Sequence, residues 1–476
     1  MGSFRGAFGT DNRKSWKTDT TPKRQQGRVL ANRDFHDRSP VKPAPSLTLW
    51  VRMTESRLAV LTVLRESAVI NRGSIMSRHN PKAIPRRALR LLISAFCVIA
   101  TFTVNLADGD DPPAPRMQLV TFTDVKSVSR TIESRVLLEA QDGGLLLEGR
   151  DGRLWNVTPK QLQKREATED PFQPVSAEQF GEQLVREVAE FGIKTPTQVV
   201  VTRHFVVCST AGRVYAEWCG SLFERLHDAF QSYWKDAGLE LREPEFPLGA
   251  VVLKDRTEYA EFATKHDRAD AAQAPGYFSE PTNRIILFDL TAGPNSTPVK
   301  TAGDVRRKLE ASSFNVATMV HEATHQLAFN CGLHTRYTDN PRWLTEGMAM
   351  FFEVPDLDSR TGWKTIGRVN APRLKDFRET VRGPREFLPL TDLIQSDMSF
   401  LNANQARAAY SESWALTFFL LKTRRDDAVG YLKSIQRKPR LIADSPDDRL
   451  REFQSTFGEI DTLERDWKKW IGRQGK

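Results

Sequence analysis

The body of this 476-residue chain lacks an excess of positive charge. The whole sequence carries +9, but residues 1–107 hold 19 Lys and Arg against 6 Asp and Glu, and the remainder holds 50 against 54. The basic balance therefore belongs to an N-terminal leader, and nucleic-acid binding by the body loses its main support. There is no internal repeat and no low-complexity block, which excludes solenoid and array architectures. Four cysteines are too few for a disulfide-dense scaffold. None of the eight histidines lies beyond His334, so the last third of the chain cannot supply an imidazole to any site. What remains is ordinary for a soluble globular protein: 39% hydrophobic and 9% aromatic residues. The length suffices for two or three domains.

The leader has a recognisable order. Arg86, Arg87 and Arg90 precede an uncharged, mostly apolar run over residues 91–107, followed by acidic and proline-rich sequence. This is the n-region, h-region and exit of a secretory signal, at a length that overlaps a short membrane anchor. Export to the periplasm, cell envelope or medium follows, with 76–107 as signal peptide or signal anchor. A signal beginning after 75 residues is unusual, and Met76 would give a leader of normal length. Residues 1–75 are accordingly expected to reflect a start codon assigned too early, the alternative being a disordered basic tail before a signal anchor. With Cys97 in the signal, Cys208, Cys219 and Cys331 remain. Cys208 ends a strand-like run and Cys219 opens a helix-like one, so either a strand-to-helix disulfide or two buried thiols is expected there.

Residues 108–160 read as a linker and a small antiparallel β unit, in which "QDGG" and "RDG" turn the chain between apolar runs. Residues 161–196 are more polar, partly helical, and read as a connector. From 197 to 476 the pattern is mixed α and β, then helical. A strand over 199–208 precedes a helix over 219–235 with Leu222, Leu226, Phe230 and Trp234 four apart. Strand "GAVVLK" and helix "RTEYAEFATKH" follow, then a hairpin, "GYFSEPTNRIILFDL", turning at 281–283. Beyond residue 300 no strand is expected. The fold class is α+β.

Chemistry concentrates in "TMVHEATHQLAFNCGLH", residues 318–334. Val316, Val320, Ala323 and Leu327 recur at helical spacing and Gly332 is a natural stop. On a helix His321 and His325 stand one turn apart on one face and can reach one ion. Glu322 is rotated away from them, where it can hold water. Chance would place HExxH in on the order of one such chain in a hundred. For the third ligand, Cys331 and Ala328 occupy the positions where the HxxGxxH extension needs histidine and glycine, and His334 lies three residues too late. The stronger candidate is Glu346 in "NPRWLTEGMAMFFEVPD", on a second packed helix where Gly347 permits close approach to another. Glu353 is the backup ligand or a partner of one. Two histidines and a glutamate form a catalytic zinc set with an open fourth position.

"HEATH" followed after about twenty residues by "WLTEGMAMFFE" resembles the gluzincin metallopeptidases, and more narrowly an uncharacterised bacterial family of the peptidase MA-like type whose members are often exported. The resemblance covers roughly residues 197–476 and is specific at these two motifs. It implies a zincin-like domain: a twisted sheet whose edge strand aligns a peptide, the HExxH helix beneath it, and a helical C-terminal half. Residues 284–289 become the edge-strand candidate. It also implies an oxyanion donor, Tyr or His, from a later helix. With no histidine available, Tyr337, Tyr410 and Tyr431 remain, and Tyr410 in "QARAAYSESWALTFFLL" stands at a family-like distance; Arg407 and Arg342 are the alternatives.

The sequence thus predicts an exported metallopeptidase with Zn2+ on His321, His325 and Glu346, Glu322 as general base and Tyr410 as oxyanion donor. Its substrate would be a peptide or protein, with membrane contact only through an uncleaved signal. The competing reading is a secreted module that keeps the zincin fold without turnover; hydrolysis of a non-peptide bond is a third.

Overall fold

The computed structural model describes residues 116–267, 271–292, 299–310, 313–359, 363–382 and 387–475. The expected signal, its upstream segment, most of the linker and Cys97 lie outside these residues. The first part of the described chain is all strand: β1 (Arg116–Thr123), β2 (Ser129–Glu139), β3 (Leu145–Gly149), β4 (Leu154–Val157) and β5 (Leu162–Pro171). They form one antiparallel sheet in the order β4-β3-β2-β1-β5 around a small core of Val120, Phe122, Leu145, Leu147 and Val157. β5 is a correction to the connector reading. Its sequence, LQKREATEDP, carries charge on half of its residues, and its backbone pairs with β1 at the sheet edge without burying side chains.

The second sheet is mixed. Helix α1 (Ala177–Glu190) leads into β6 (Gln198–Val201), β7 (Phe205–Ser209), α2 (Arg213–Asp236), β8 (Leu248–Leu253) and α3 (Arg256–His266). The hairpin β9 (Gly276–Ser279) and β10 (Arg284–Phe288) completes it. The order is β6-β7-β8-β10-β9, parallel among β7, β8 and β10 and antiparallel at both margins. The run read as one strand over 199–208 is therefore a hairpin broken at 202–204. Alternate residues of the inner strands face two cores, which is why these strands read as continuous apolar runs. Phe205, Val207, Leu248, Ala250, Val252, Ile285 and Leu287 join the large core with α2 and the C-terminal helices. Val206, Cys208, Val251, Leu253 and Ile286 pack against α1 and α3.

That alternation also resolves the thiols. Cys208 lies in one core and Cys219 in the other, across the sheet, and both are free and buried. Burial pushes the Cys208 thiol up to about 12.

The rest is helical: α4 (Ala302–Glu310), α5 (Ser313–Asn330), α6 (Arg342–Phe352), α7 (Ala371–Arg382), α8 (Leu390–Gln395), α9 (Met398–Leu401), α10 (Ala406–Thr423), α11 (Arg425–Gln436), α12 (Pro446–Phe457) and α13 (Ile460–Ile471). The architecture is α+β: antiparallel sheet, mixed sheet, helical C-terminal half. Among the described residues no helix is long and apolar enough to cross a membrane.

Buried charge joins the two sheets. Arg284 of β10 is fully buried, and its Nη2 donates to Asp151 Oδ2 at 2.6 Å and Glu187 Oε1 at 3.1 Å. Asp151 belongs to the β3–β4 turn, whose neighbour Gly152 accepts from Arg336 Nη1 through its carbonyl at 2.6 Å. Arg336 also reaches Glu148 of β3 at 2.8 Å. Burial opposes ionisation of Asp151, but Arg284 and Arg153 outweigh it and hold the carboxyl at about 2 against an ordinary 3.8.

Asp151→Ala is expected to cost about 3 kcal/mol at neutral pH, the low end for breaking a buried pair because Glu187 stays beside Arg284. Since the folded carboxyl sits below its ordinary value, this contribution is complete above about 4 and drains as the pH falls towards 2. Urea unfolding of both proteins across that range should show the difference shrinking with acid. A constant difference would mean that Asp151 acts through packing alone.

Candidate metal centre

Helix α5 forms as its sequence predicts. It ends at Asn330, and Gly332 takes φ +86°, the left-handed turn that a side chain would strain. Its face towards the sheet is fastened by amides. Gln326 Nε2 donates to the Gly249 and Asn283 carbonyls at 3.0 and 2.9 Å, and Asn330 and Asn283 exchange amide bonds at 2.7 and 2.9 Å. These bonds fix α5 against the β9–β10 turn.

Helix α6 is buried along its whole length. It approaches α10 so closely that a Cβ on Gly347 would lie 2.1 Å from Thr417 Oγ1 and 2.6 Å from the Ser413 carbonyl oxygen. Glycine is therefore required beside Glu346. The close crossing seats α6 deeply enough for Glu346 to meet α5.

There His321, His325 and Glu346 converge, each buried, with one ligand atom apiece within 4.8 Å of the others. His321 Nε2 lies 3.1 Å from His325 Nε2 and 3.3 Å from Glu346 Oε2, and His325 Nε2 lies 3.5 Å from the same oxygen. The opposite nitrogen of His321, Nδ1, faces Glu353 Oε2 at 2.8 Å. A carboxylate can only accept, so Glu353 keeps a proton on Nδ1 and turns the Nε2 lone pair towards Glu346 and His325. Glu353 is held in turn by Asn370 Nδ2 at 2.7 Å and Arg373 Nε at 2.9 Å.

A metal ion fits this donor set. Two imidazole nitrogens and a carboxylate oxygen point at one another from buried positions, and electron-pair donors so placed could hold a cation between them. Burial works against charge on His321, yet Glu346 and Glu353 carry its pKa up to about 9, so a proton substitutes for the cation. Glu346 is resisted by burial but held well below the carboxylate range by His321 and His325. Arg373 and His321 likewise hold Glu353 at about 2 against burial.

Glu322 stands apart from this group, on the side of the sheet. Its Oε2 accepts the Phe278 backbone N–H at 2.8 Å, and Phe278 belongs to β9. Burial first, then Glu346 and Glu353, raise its carboxyl to about 8, with His321 opposing. β9, not residues 284–289, is the edge of the sheet. β10 lies between β8 and β9, pairing parallel with β8 and antiparallel with β9, so the first arm of the hairpin lies outside.

Tyr410 is buried on α10, and its hydroxyl accepts Arg342 Nη2 at 2.8 Å. Burial raises its pKa well above the ordinary phenol value, so it stays protonated at neutral pH. Arg342 sits one turn before Glu346, with Nε 3.5 Å from Glu346 Oε1. Arg407 turns elsewhere, to Asp376 and Glu379 on α7. Tyr431 packs among Trp343, Phe453 and Phe457. His334 and Cys331 are buried beyond the end of α5 and do not join the three-residue group. Nothing in the spacing of Asn370, Arg373 or Phe278 ties them to HExxH.

A family model described as "Protein of unknown function (DUF1570)" matches residues 315–441, from α5 into the loop after α11. The matched stretch contains all three donors together with Glu322, Glu353, Arg373 and Tyr410. No curated protein matches the chain.

Glu353→Gln should weaken metal binding by about 10- to 100-fold without unfolding the chain, since the amide cannot hold His321 in the same tautomer with the same charge. Competition against a chromophoric chelator measures this. Unchanged affinity would reduce Glu353 to a packing partner of Arg373.

Proposed function

We propose that the protein is an exported, zinc-dependent metallopeptidase of the gluzincin type, with His321, His325 and Glu346 as ligands. The observation that carries this reading is the place of Glu322. It sits one residue past a ligand, outside the three-donor group, with its carboxylate against the backbone of the sheet's edge strand. A carboxylate between a metal group and a strand edge is where a peptide bond laid along that edge would need a base.

When bound at the three donors, zinc would supply Lewis acidity to polarise a carbonyl and to acidify water. The chain's own residues supply the rest. β9 has β10 on one side and no strand on the other among the described residues, so an extended peptide can add to it through backbone hydrogen bonds. Glu322 takes the proton of the attacking water and passes it to the leaving amine. Its buried setting raises the carboxyl above the ordinary carboxylate range, which favours its holding a proton between the two transfers. Tyr410 donates its hydroxyl proton towards oxygen charge that develops on the substrate, and Arg342, bonded to that hydroxyl, orients it. The same guanidinium lies beside Glu346 and compensates its buried charge.

Export rests on the leader, whose Arg-rich start and apolar run are those of a secretory signal. The three thiols of the described body, free and buried, do not bear on the compartment.

Glu322→Gln should retain zinc and lose about 10²- to 10⁴-fold of the cleavage rate on a broad peptide library. Tyr410→Phe should lower kcat by about 10²- to 10³-fold with little change in KM. Zinc-loaded unmodified protein that cleaves nothing in the library would favour a binding module with the same fold.

A further inference from the structure

A second group of ligating side chains lies away from HExxH. His204 sits in the β6–β7 turn, and Glu224 and His227 lie one turn apart on α2; together they have the spacing of a metal-holding set. Glu243, in the loop from α2 to β8, completes the cluster. The two imidazole rings stack with centroids 3.8 Å apart and planes 28° from parallel. Both Nε2 atoms face one carboxylate oxygen: Glu243 Oε2 is 3.3 Å from that of His204 and 3.2 Å from that of His227.

The proton positions leave this point short of a donor. His204 Nδ1 lies 2.8 Å from Glu224 Oε2, while Glu224 Oε1 accepts the His204 N–H and the Thr202 hydroxyl, both at 2.6 Å. Arg203 Nε approaches the same Nδ1 at 3.3 Å, but the carboxylate is nearer and can only accept. The proton therefore sits on Nδ1, and the His204 Nε2 lone pair points at Glu243. His227 Nδ1 has Asp228 Oδ1 at 3.3 Å in the same way. Its side chain is only 2% exposed, and its Nε2 makes no hydrogen bond in this buried position. One proton can bridge one ring to Glu243. It cannot serve both.

We infer that His204, His227 and Glu243 hold a second divalent transition-metal ion, with Glu224 and Asp228 fixing the two rings through their Nδ1 atoms. Imidazole with carboxylate suits zinc and its neighbours, cobalt, nickel and copper, over calcium or magnesium. Glu243 is 71% exposed and gives the ion a path from solvent. The site would clasp three segments, the β6–β7 turn, α2 and the α2–β8 loop, where the His204 carbonyl already accepts the Leu248 N–H at 2.8 Å. It thus fastens the entry of β7 and β8 into the mixed sheet. The inference does not rest on the peptidase reading.

The test uses the full chain, stripped with chelator and titrated with Co2+, with bound metal counted by elemental analysis and visible absorption. The unmodified protein should bind two ions per chain, His321→Gln/His325→Gln one, and His204→Gln/His227→Gln one. Glu243→Gln, a change at an exposed carboxylate that leaves the core untouched, should also bind one. Glu224→Gln should weaken that ion about 10- to 100-fold. A single ion that survives in His204→Gln/His227→Gln and in Glu243→Gln would overturn the second site. A single ion lost in those variants but kept in His321→Gln/His325→Gln would support it while removing the HExxH centre.

Discussion

Three buried side chains whose donor atoms converge on one point are the constraint on which the centre of this structure depends. His321 and His325 come from one helix, Glu346 from another, and their donor atoms lie 3.1 to 3.5 Å apart. Nothing apolar would hold them there, because each would rather be hydrated. The fold does it through backbone approach and amides. Gly347 lets α6 press against α10, and Gln326, Asn330 and Asn283 fasten α5 to the sheet. The same fastening brings β9 over Glu322. One set of buried hydrogen bonds thus places both the donors and the strand edge.

The charge around the centre follows from this arrangement. Glu322, Glu346 and Glu353 are all buried within one site, a burden that a low-dielectric interior tolerates only when each is compensated. Arg342 stands beside Glu346, Arg373 and Asn370 hold Glu353, and a backbone N–H from β9 meets one oxygen of Glu322, whose Oε1 is left without a hydrogen bond among the described residues. Glu322 receives the weakest compensation and is the carboxyl whose pKa rises. This is the carboxyl on which the proposed proton transfer would rest.

Much of this was legible in the sequence because periodicity and spacing are local. The HExxH register, the stop at Gly332 and the tight approach at Gly347 each rest on one helix and its immediate neighbour. Glu346 was preferred over His334 and Cys331 because a second packed helix could deliver it, and the fold does deliver it to the two histidines. The misreadings concern pairing, which is not local. Both arms of the β9–β10 hairpin look alike in sequence, and only the parallel pairing of β10 with β8 decides which arm lies outside. β5 hid because an edge strand can be paired through its backbone while every side chain stays wet. The Cys208–Cys219 staple failed on parity: a one-residue step along β7 places Cys208 on the opposite face from α2. Asn370, just before α7, and Arg373 in its first turn act through Glu353, and the sequence there carries no trace of that contact.

The central claim is that an ion sits between α5 and α6. Anomalous diffraction from crystals grown with zinc, recorded on both sides of the zinc absorption edge, locates such an ion without reference to activity. A peak bounded by His321 Nε2, His325 Nε2 and Glu346 Oε2, present above the edge and absent below it, is the result this account predicts. Ordered side chains at those three positions with no such peak between them would contradict it.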